Sequence, residues 1–359
     1  MINNNIETFL EQLKEHESED FRYDHEGLAN EYQSIADNQS SLAIKILSII
    51  GGLLGMAAFW MFLGILGFLD NEMNTMILGF ILFIGALIIN RMTKTIFLDT
   101  ISVSALVSSF LMIIAGLDEL GLSQNIIPIL IILLASFALI LSRNYIYTFI
   151  SVLTIEIMCI FLITNNEVHN LIHAYIAINT ILLTIWIINE SGIITSDKLF
   201  SKTYEPIRIG LIFSRILGLG LIGIKGFYLN MEGENLTWIS SIATIPVVFY
   251  LVNIILNILE VNTIQAKIIV FTICALILAS IFNAPAISGA IVILLLCFYA
   301  NYQTGIVISI IALVYFVGQY YYDLNLTLLT KSIILFSSGV LFLILYFLTH
   351  KTLDTHEAH

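Results

Sequence analysis

The sequence predicts an all-α, polytopic integral membrane protein with about twelve transmembrane helices and with both termini in the cytoplasm. Three observations support this fold class. The chain is 58% hydrophobic and only 11% charged, whereas soluble proteins carry about 25% charged residues. Apolar segments long enough to cross a bilayer fill nearly everything after residue 40. The basic residues between these segments fall almost entirely on one side.

The predicted spans are the apolar segments whose length approaches the roughly 17–25 residues that a helix needs to cross the hydrocarbon core. The second, tenth and eleventh are the shortest, and the linkers within residues 283–304 carry no charge that would help to orient them. The longest internal loop, about residues 190–206, divides the spans six plus six. The predicted spans are 44–69, 74–90, 96–117, 124–142, 145–164, 170–189, 207–229, 238–259, 266–283, 286–302, 304–320 and 331–349.

The distribution of Lys and Arg orients these spans. With the N-terminus in the cytoplasm, all basic residues except Lys225 and Lys331 lie in or beside cytoplasmic segments. Cytoplasmic loops of membrane proteins are enriched in Lys and Arg. The loops predicted to lie outside carry acidic residues instead, such as Asp118, Glu119 and Glu167. The alternation supports both the number of spans and an N-in, C-in orientation.

Residues 1–40 form an acidic N-terminal segment ahead of the membrane domain (41–349), and residues 350–359 form a cytoplasmic tail. The segment holds ten Asp or Glu residues against Lys14 and Arg22. Apolar residues at helical spacing predict a short amphipathic helix over 4–16. We expect it to pack on the cytoplasmic face rather than to anchor on lipid, because lipid-surface helices are usually basic.

Glu156 is the first candidate for chemistry, because it lies close to the middle of the fifth predicted span. An acidic residue there costs about 2.5–3.5 kcal/mol on insertion scales, so it should face the bundle interior. It is interpreted either as a carboxylate coupled to a proton or cation, or as a neutral group bonded to a neighbouring helix. Asn179 in span six is expected at similar depth and is its predicted partner. Arg215 in span seven is the other choice, although its guanidinium could instead reach inward to water.

Two further polar groups are weaker candidates. Asn253, Asn257 and Glu260 recur on one face of span eight, where they could line a path or bond helices together. His169 and His173 are four residues apart near the outer end of span six, a spacing that could hold zinc. A third positioned ligand is missing, so no metal is predicted.

The C-terminal part carries a recognisable motif. The run from Tyr320, Tyr321, Tyr322 and Asp323 to Lys331 reads YYYDLNLTLLTK and is followed by Ser332. This run resembles the ending of an uncharacterised family of bacterial multi-pass membrane proteins, known mainly as a domain of unknown function. The resemblance implies an inner-membrane protein with a small membrane-anchored partner, and it supplies no activity. Tyr320–Lys331 is therefore the predicted partner surface.

Several absences narrow the function classes. The chain has no GxxxxGK[ST] loop and no HExxH motif, so neither a Walker ATP site nor that zinc hydrolase site is present. We expect no enzymatic activity, no cofactor and no nucleic-acid partner. The leading hypothesis is a transporter or flippase of a small or lipidic substrate, in which Glu156 gates or couples movement. The alternative is a non-catalytic membrane subunit that holds a partner protein in the lipid bilayer.

Overall fold

The computed structural model describes residues 42–92, 96–142, 144–168, 170–196, 198–223, 237–261, 263–282 and 284–323, together with isolated positions between 327 and 343. The predicted N-terminal helix and the C-terminal tail lie outside the described residues. The same holds for His169, Lys225 and Lys331. The last predicted span, 331–349, is described only at isolated positions.

The described part of the chain consists of α-helices joined by short turns, with one 3-10 turn at Phe68–Asp70 and no strand. This confirms the all-α class. The helices in chain order are α1 (Leu42–Ile65), α2 (Glu72–Met92), α3 (Ile96–Glu119), α4 (Ile126–Leu141), α5 (Tyr145–Asn165), α6 (Leu171–Ile188), α7 (Glu190–Ser196), α8 (Lys198–Gly223), α9 (Thr237–Ile258), α10 (Ile264–Ser280), α11 (Pro285–Tyr299) and α12 (Gln303–Asp323).

Six of the described helices are long and apolar enough to cross a membrane: α2, α3, α5, α6, α9 and α12. Helices α4, α10 and α11 are apolar but shorter, at 16, 17 and 15 residues. The chain is therefore a multi-helix membrane protein. The total of twelve spans and the N-in, C-in orientation stay predictions.

The predicted loop at residues 190–206 is helical at its described residues rather than irregular, and its cytoplasmic position stays a prediction. It forms α7 and the first turns of α8. Tyr204 explains the difference, since its side chain is buried and its ring stacks on Trp186 at 5.9 Å between ring centroids. The indole nitrogen of Trp186 also donates to the Tyr204 carbonyl oxygen at 3.2 Å. Packing of an aromatic side chain thus extends the helix nine residues ahead of the predicted span.

The helices pack around two hydrophobic cores that share α5. One core joins α2, α3 and α4 to the N-terminal part of α5. The other joins the rest of α5 to α6, α8, α9, α11 and α12, with one residue from α10. Helix α6 lies inside the second core and contacts α5, α8, α9 and α11. This placement puts polar residues of α6 in the protein interior, where lipid does not reach them.

Candidate functional site

A cluster of polar side chains lies where α5, α6 and α8 meet. Glu156 comes from α5, Tyr175, Asn179 and Thr180 from α6, and Arg215 from α8. Glu156 and Asn179 lie near the middle of their helices, which are 21 and 18 residues long. The cluster therefore lies at mid-depth in the membrane domain. We call these five residues the polar cluster.

Arg215 is the most buried member of the polar cluster, with 0% of its surface exposed. Its Nη1 donates to the Thr180 hydroxyl, and that hydroxyl donates to the Ile176 carbonyl oxygen. The Nε and Nη2 atoms have no hydrogen-bond partner. The guanidinium therefore points into the helix bundle, and the expectation that it could reach inward to water is wrong.

The carboxyl group of Glu156 faces the Tyr175 hydroxyl and the Asn179 amide. Asn179 is 2% exposed, and Glu156 is partly buried. Neither polar atom of the Asn179 amide, nor the Tyr175 hydroxyl, forms a hydrogen bond of ordinary geometry. The structure thus brings together the predicted pair, Glu156 and Asn179, with polar atoms that lack firm partners.

Tyr175 connects the two charged members of the polar cluster and was missed by sequence reasoning. Its ring lies near both Glu156 and Arg215. Gly218 makes room for it, because a Cβ at that position would come within 2.9 Å of Tyr175 Cε1. The available signal was its position four residues before Asn179, which places both on one helical face.

A second cluster surrounds Arg208, which lies about two turns before Arg215 on α8. The guanidinium carbon of Arg208 lies 4.2 Å from the Tyr302 ring centroid and 5.3 Å from that of Tyr204. Both distances fall within the range of cation–π attraction. Arg208 Nη1 also lies 3.6 Å from Glu190 Oε1. The Arg208 clamp, as we name these four residues, ties α7 and α8 to the turn between α11 and α12.

Burial governs the ionisation of both tyrosines in the Arg208 clamp. Desolvation, followed by the charge of Glu190, raises the pKa of Tyr204 to about 12. Desolvation also raises the pKa of Tyr302, and the nearby Arg208 charge opposes that increase. Both phenols therefore stay neutral at physiological pH, so Arg208 packs against uncharged rings and forms its ion pair with Glu190.

The polar stripe of α9 lies at the protein surface. Asn253 and Asn257 are exposed, and so is Glu260, which sits just after the helix with a positive φ of 53°. Lys267 Nζ on α10 donates to Asn257 Oδ1 at 2.9 Å. In the described structure the stripe therefore contacts α10 through this bond and does not join the polar cluster.

His173 is fully buried, and its Nδ1 lies 2.7 Å from the Ser240 hydroxyl of α9. Its Nε2 has no partner. Among the described residues, no group of three His, Cys, Asp or Glu side chains could hold a metal ion. Since His169 lies outside the described residues, His173 is placed here as a helix-bonding residue between α6 and α9.

The tyrosines of the C-terminal motif lie at the end of α12. Tyr320 and Tyr321 are partly buried, whereas Tyr322 is 78% exposed. The rings of Tyr321 and Tyr322 meet edge to face, with centroids 5.7 Å apart. Asp323 is the last residue of the helix.

An apolar groove of about 630 Å³ runs between α5, α8 and α12. Ile157, next to Glu156, lines it, but Arg215 does not. The groove is a space for hydrocarbon rather than for a polar solute. Its lining residues are Ile157, Ile160, Phe213, Ile216, Leu217, Gly220, Leu221, Ile308, Ile311, Ala312, Tyr315 and Phe316.

One family model matches residues 41–352 of the chain, described as Domain of unknown function (DUF4401). The chain belongs to the DUF4401 family. The resemblance predicted from the C-terminal motif is thereby confirmed at the level of the family. No curated protein and no solved structure matches the chain. Functional conclusions for this DUF4401 protein therefore depend on the polar cluster, the Arg208 clamp and the groove.

Proposed function

We propose that this DUF4401 protein is a carrier of the bacterial inner membrane that moves a small or lipidic substrate, and that it is not an enzyme. The observation that carries the proposal is the polar cluster. Ionisable residues within a membrane domain are costly and are found mostly on ion or substrate pathways. Here a carboxyl group of α5 and a guanidinium of α8 belong to one cluster with polar residues of α6, and several polar atoms of this cluster have no hydrogen-bond partner.

Glu156 is the coupling group in this proposal. Its carboxyl faces Tyr175 and Asn179 rather than a basic residue. A carboxyl group that faces neutral side chains can gain or lose a proton without breaking an ion pair. Gain or loss of that proton changes the charge at mid-depth, and helix packing around the polar cluster responds to the change.

The test is reconstitution of the full chain into proteoliposomes. Two readouts are used at pH 6 and pH 8: dithionite bleaching of fluorescently labelled phosphatidylglycerol, and proton entry followed with internal pyranine. We expect the wild-type protein to exceed protein-free vesicles in at least one assay. Glu156→Gln should lower that rate about tenfold or more and remove its pH dependence, because the amide cannot titrate.

Glu119→Gln is the matched control, because Glu119 is exposed at the end of α3. It should retain the wild-type rate. Full activity of Glu156→Gln at both pH values would remove the coupling role. Wild-type rates equal to those of empty vesicles in both assays would count against a carrier.

The second candidate function is a non-catalytic subunit that holds a small membrane-anchored protein. The groove beside α12 favours this second function, since an apolar groove of about 630 Å³ can take apolar side chains of a partner helix as well as a lipid chain. The double variant with Tyr321→Ala and Lys331→Ala removes an aromatic ring and a charge from the predicted partner surface, Tyr320–Lys331. It should weaken co-purification of a small membrane protein encoded by a neighbouring gene. Unchanged co-purification would argue against Tyr320–Lys331 as the partner surface.

A further inference from the structure

The guanidinium of Arg215 presents an unused pair of donors inside the membrane domain. Nη1 is fixed on Thr180, whereas Nε and Nη2 have no partner. Nε–H and one Nη2–H lie side by side and point the same way. This edge of arginine matches two oxygen atoms of a single carboxylate or phosphate group and binds them through two parallel hydrogen bonds.

No carboxylate among the described residues lies within ion-pair distance of Arg215. The ion pair of the described structure joins Arg208 and Glu190 instead. Glu156 supplies the carboxyl group of the polar cluster, but that group faces Tyr175 and Asn179 rather than Arg215. Tyr175, which is neutral, stands beside Arg215 instead. A fully buried cation without a counter-charge is strongly unfavourable, and an anion at the two free donors would supply that counter-charge.

Asn179 is a second buried member of the polar cluster whose polar atoms lack a hydrogen bond of ordinary geometry. It is 2% exposed, and neither its Nδ2 nor its Oδ1 has a partner. It directly precedes Thr180, the residue that holds Arg215 Nη1. Adjacent residues on a helix project in different directions, and the Asn179 amide faces Glu156. Arg215 alone therefore supplies the paired donors.

We propose that the Nε and Nη2 atoms of Arg215 bind an oxyanion of the carboxylate or phosphate type. The inference rests on the proposed carrier function and adds to it the chemical class of the substrate. Arg215 is 0% exposed, so access of the anion requires a rearrangement of the surrounding helices. The oxyanion belongs either to a free solute or to a lipid headgroup.

Binding is measured without transport, so that failure of this inference can be told from failure of the carrier proposal. Thermal unfolding of the full chain in detergent is followed while one probe is titrated at constant ionic strength. The probes are inorganic phosphate, acetate, dioctanoyl phosphatidylglycerol and, as the phosphate-free lipid, dioctanoylglycerol. A saturable increase in the unfolding temperature with phosphate or acetate identifies a free solute. An increase with phosphatidylglycerol alone identifies a headgroup.

Arg215→Gln should abolish the saturable increase, and Arg215→Lys should weaken the apparent affinity about tenfold or more, because lysine keeps the charge and loses the paired donors. Arg91→Gln is the control, since Arg91 is exposed in the last turn of α2. If neither Arg215 variant can be purified, Thr180→Val replaces them, because it removes the acceptor that fixes Nη1 and should weaken binding.

Three results would overturn the inference. One is the absence of any saturable increase with phosphate, acetate or phosphatidylglycerol in the wild-type protein. Another is an Arg215→Gln variant that responds like the wild type. The last is binding that appears only in Glu156→Gln, because that result would mean that Glu156 itself occupies the paired donors of Arg215.

Discussion

Gly305 shows how one residue position holds the Arg208 clamp together. It lies in the first turn of α12, and a Cβ there would overlap the Tyr302 ring and lie 2.5 Å from the Cys297 sulfur. Tyr302 is the ring that lies nearer to Arg208. The absence of a side chain at position 305 therefore lets the Tyr302 ring reach the guanidinium.

Gly305→Ala should lower the stability of the protein by about 1–3 kcal/mol, as overpacking of a filled site usually does. Gly318→Ala is the matched control in the same helix, because no atom lies within 4 Å of the Cβ it would add. Thermal unfolding in detergent measures both variants. Equal unfolding temperatures for the two alanine variants would contradict the tight packing at position 305.

Sequence reasoning identified part of the polar cluster and none of the Arg208 clamp, for a physical reason. Glu156 and Asn179 could be paired because depth in a membrane can be counted along two adjacent spans. Arg208 and Tyr302 are separated by 94 positions, and no helical periodicity connects them. Their contact arises from the packing of α8 against α11 and α12, and local sequence patterns carry no information on that packing.

At the scale of elements, α2 and α3 form the most extensive helix contact of the described fold, and small residues permit their approach. A Cβ on Gly116 would lie 2.7 Å from the backbone nitrogen of Met76 and 2.9 Å from the carbonyl oxygen of Glu72. A Cβ on Gly79 of α2 would likewise lie 3.0 Å from the backbone nitrogen of Ile113. Small residues at such crossings let membrane helices gain van der Waals contact.

Gly116→Ala should therefore push α2 and α3 apart and lower stability by about 1–3 kcal/mol, because a backbone cannot move aside as a flexible side chain can. Gly85→Ala is the matched control on α2, since its added Cβ would meet open space. Thermal unfolding and the yield of folded protein on size-exclusion chromatography report the difference. Identical behaviour of the two variants would show that the crossing tolerates a wider separation.

The ends of helices could be predicted where turn residues mark them, and not where side chains pack across a boundary. Pro285 opens α11 as a first-turn proline, a position that helices favour, and Asn301 turns the chain into α12 with a φ of 50°. These two uncharged linkers separate three helices as predicted. The stretch at 190–206 has no such signal, and burial of Tyr204 makes it helical.

For the whole molecule, the positive-inside distribution predicts one arrangement of the described helices across the membrane. The acidic turn after α3 is predicted to lie outside, and the segment of α7 is predicted to lie in the cytoplasm. Helices α4, α5 and α6 connect them. If α4, α5 and α6 all cross the membrane, the turn after α3 and the α7 segment lie on opposite sides. This relation depends on α4, because that helix has only 16 residues.

Single-cysteine labelling decides the orientation. Ser123 and Thr195 are exposed in these two segments, and replacing Cys159, Cys274 and Cys297 with Ala gives the background. In cells with a permeable outer membrane, a membrane-impermeant maleimide should label Ser123→Cys directly. It should label Thr195→Cys only after the inner membrane is opened, because positive-inside orientation puts α7 in the cytoplasm. Direct labelling of both cysteines would mean that α4, α5 and α6 do not make three crossings. Direct labelling of Thr195→Cys alone would mean that the bundle has the opposite orientation, with the Arg208 clamp at the outer face.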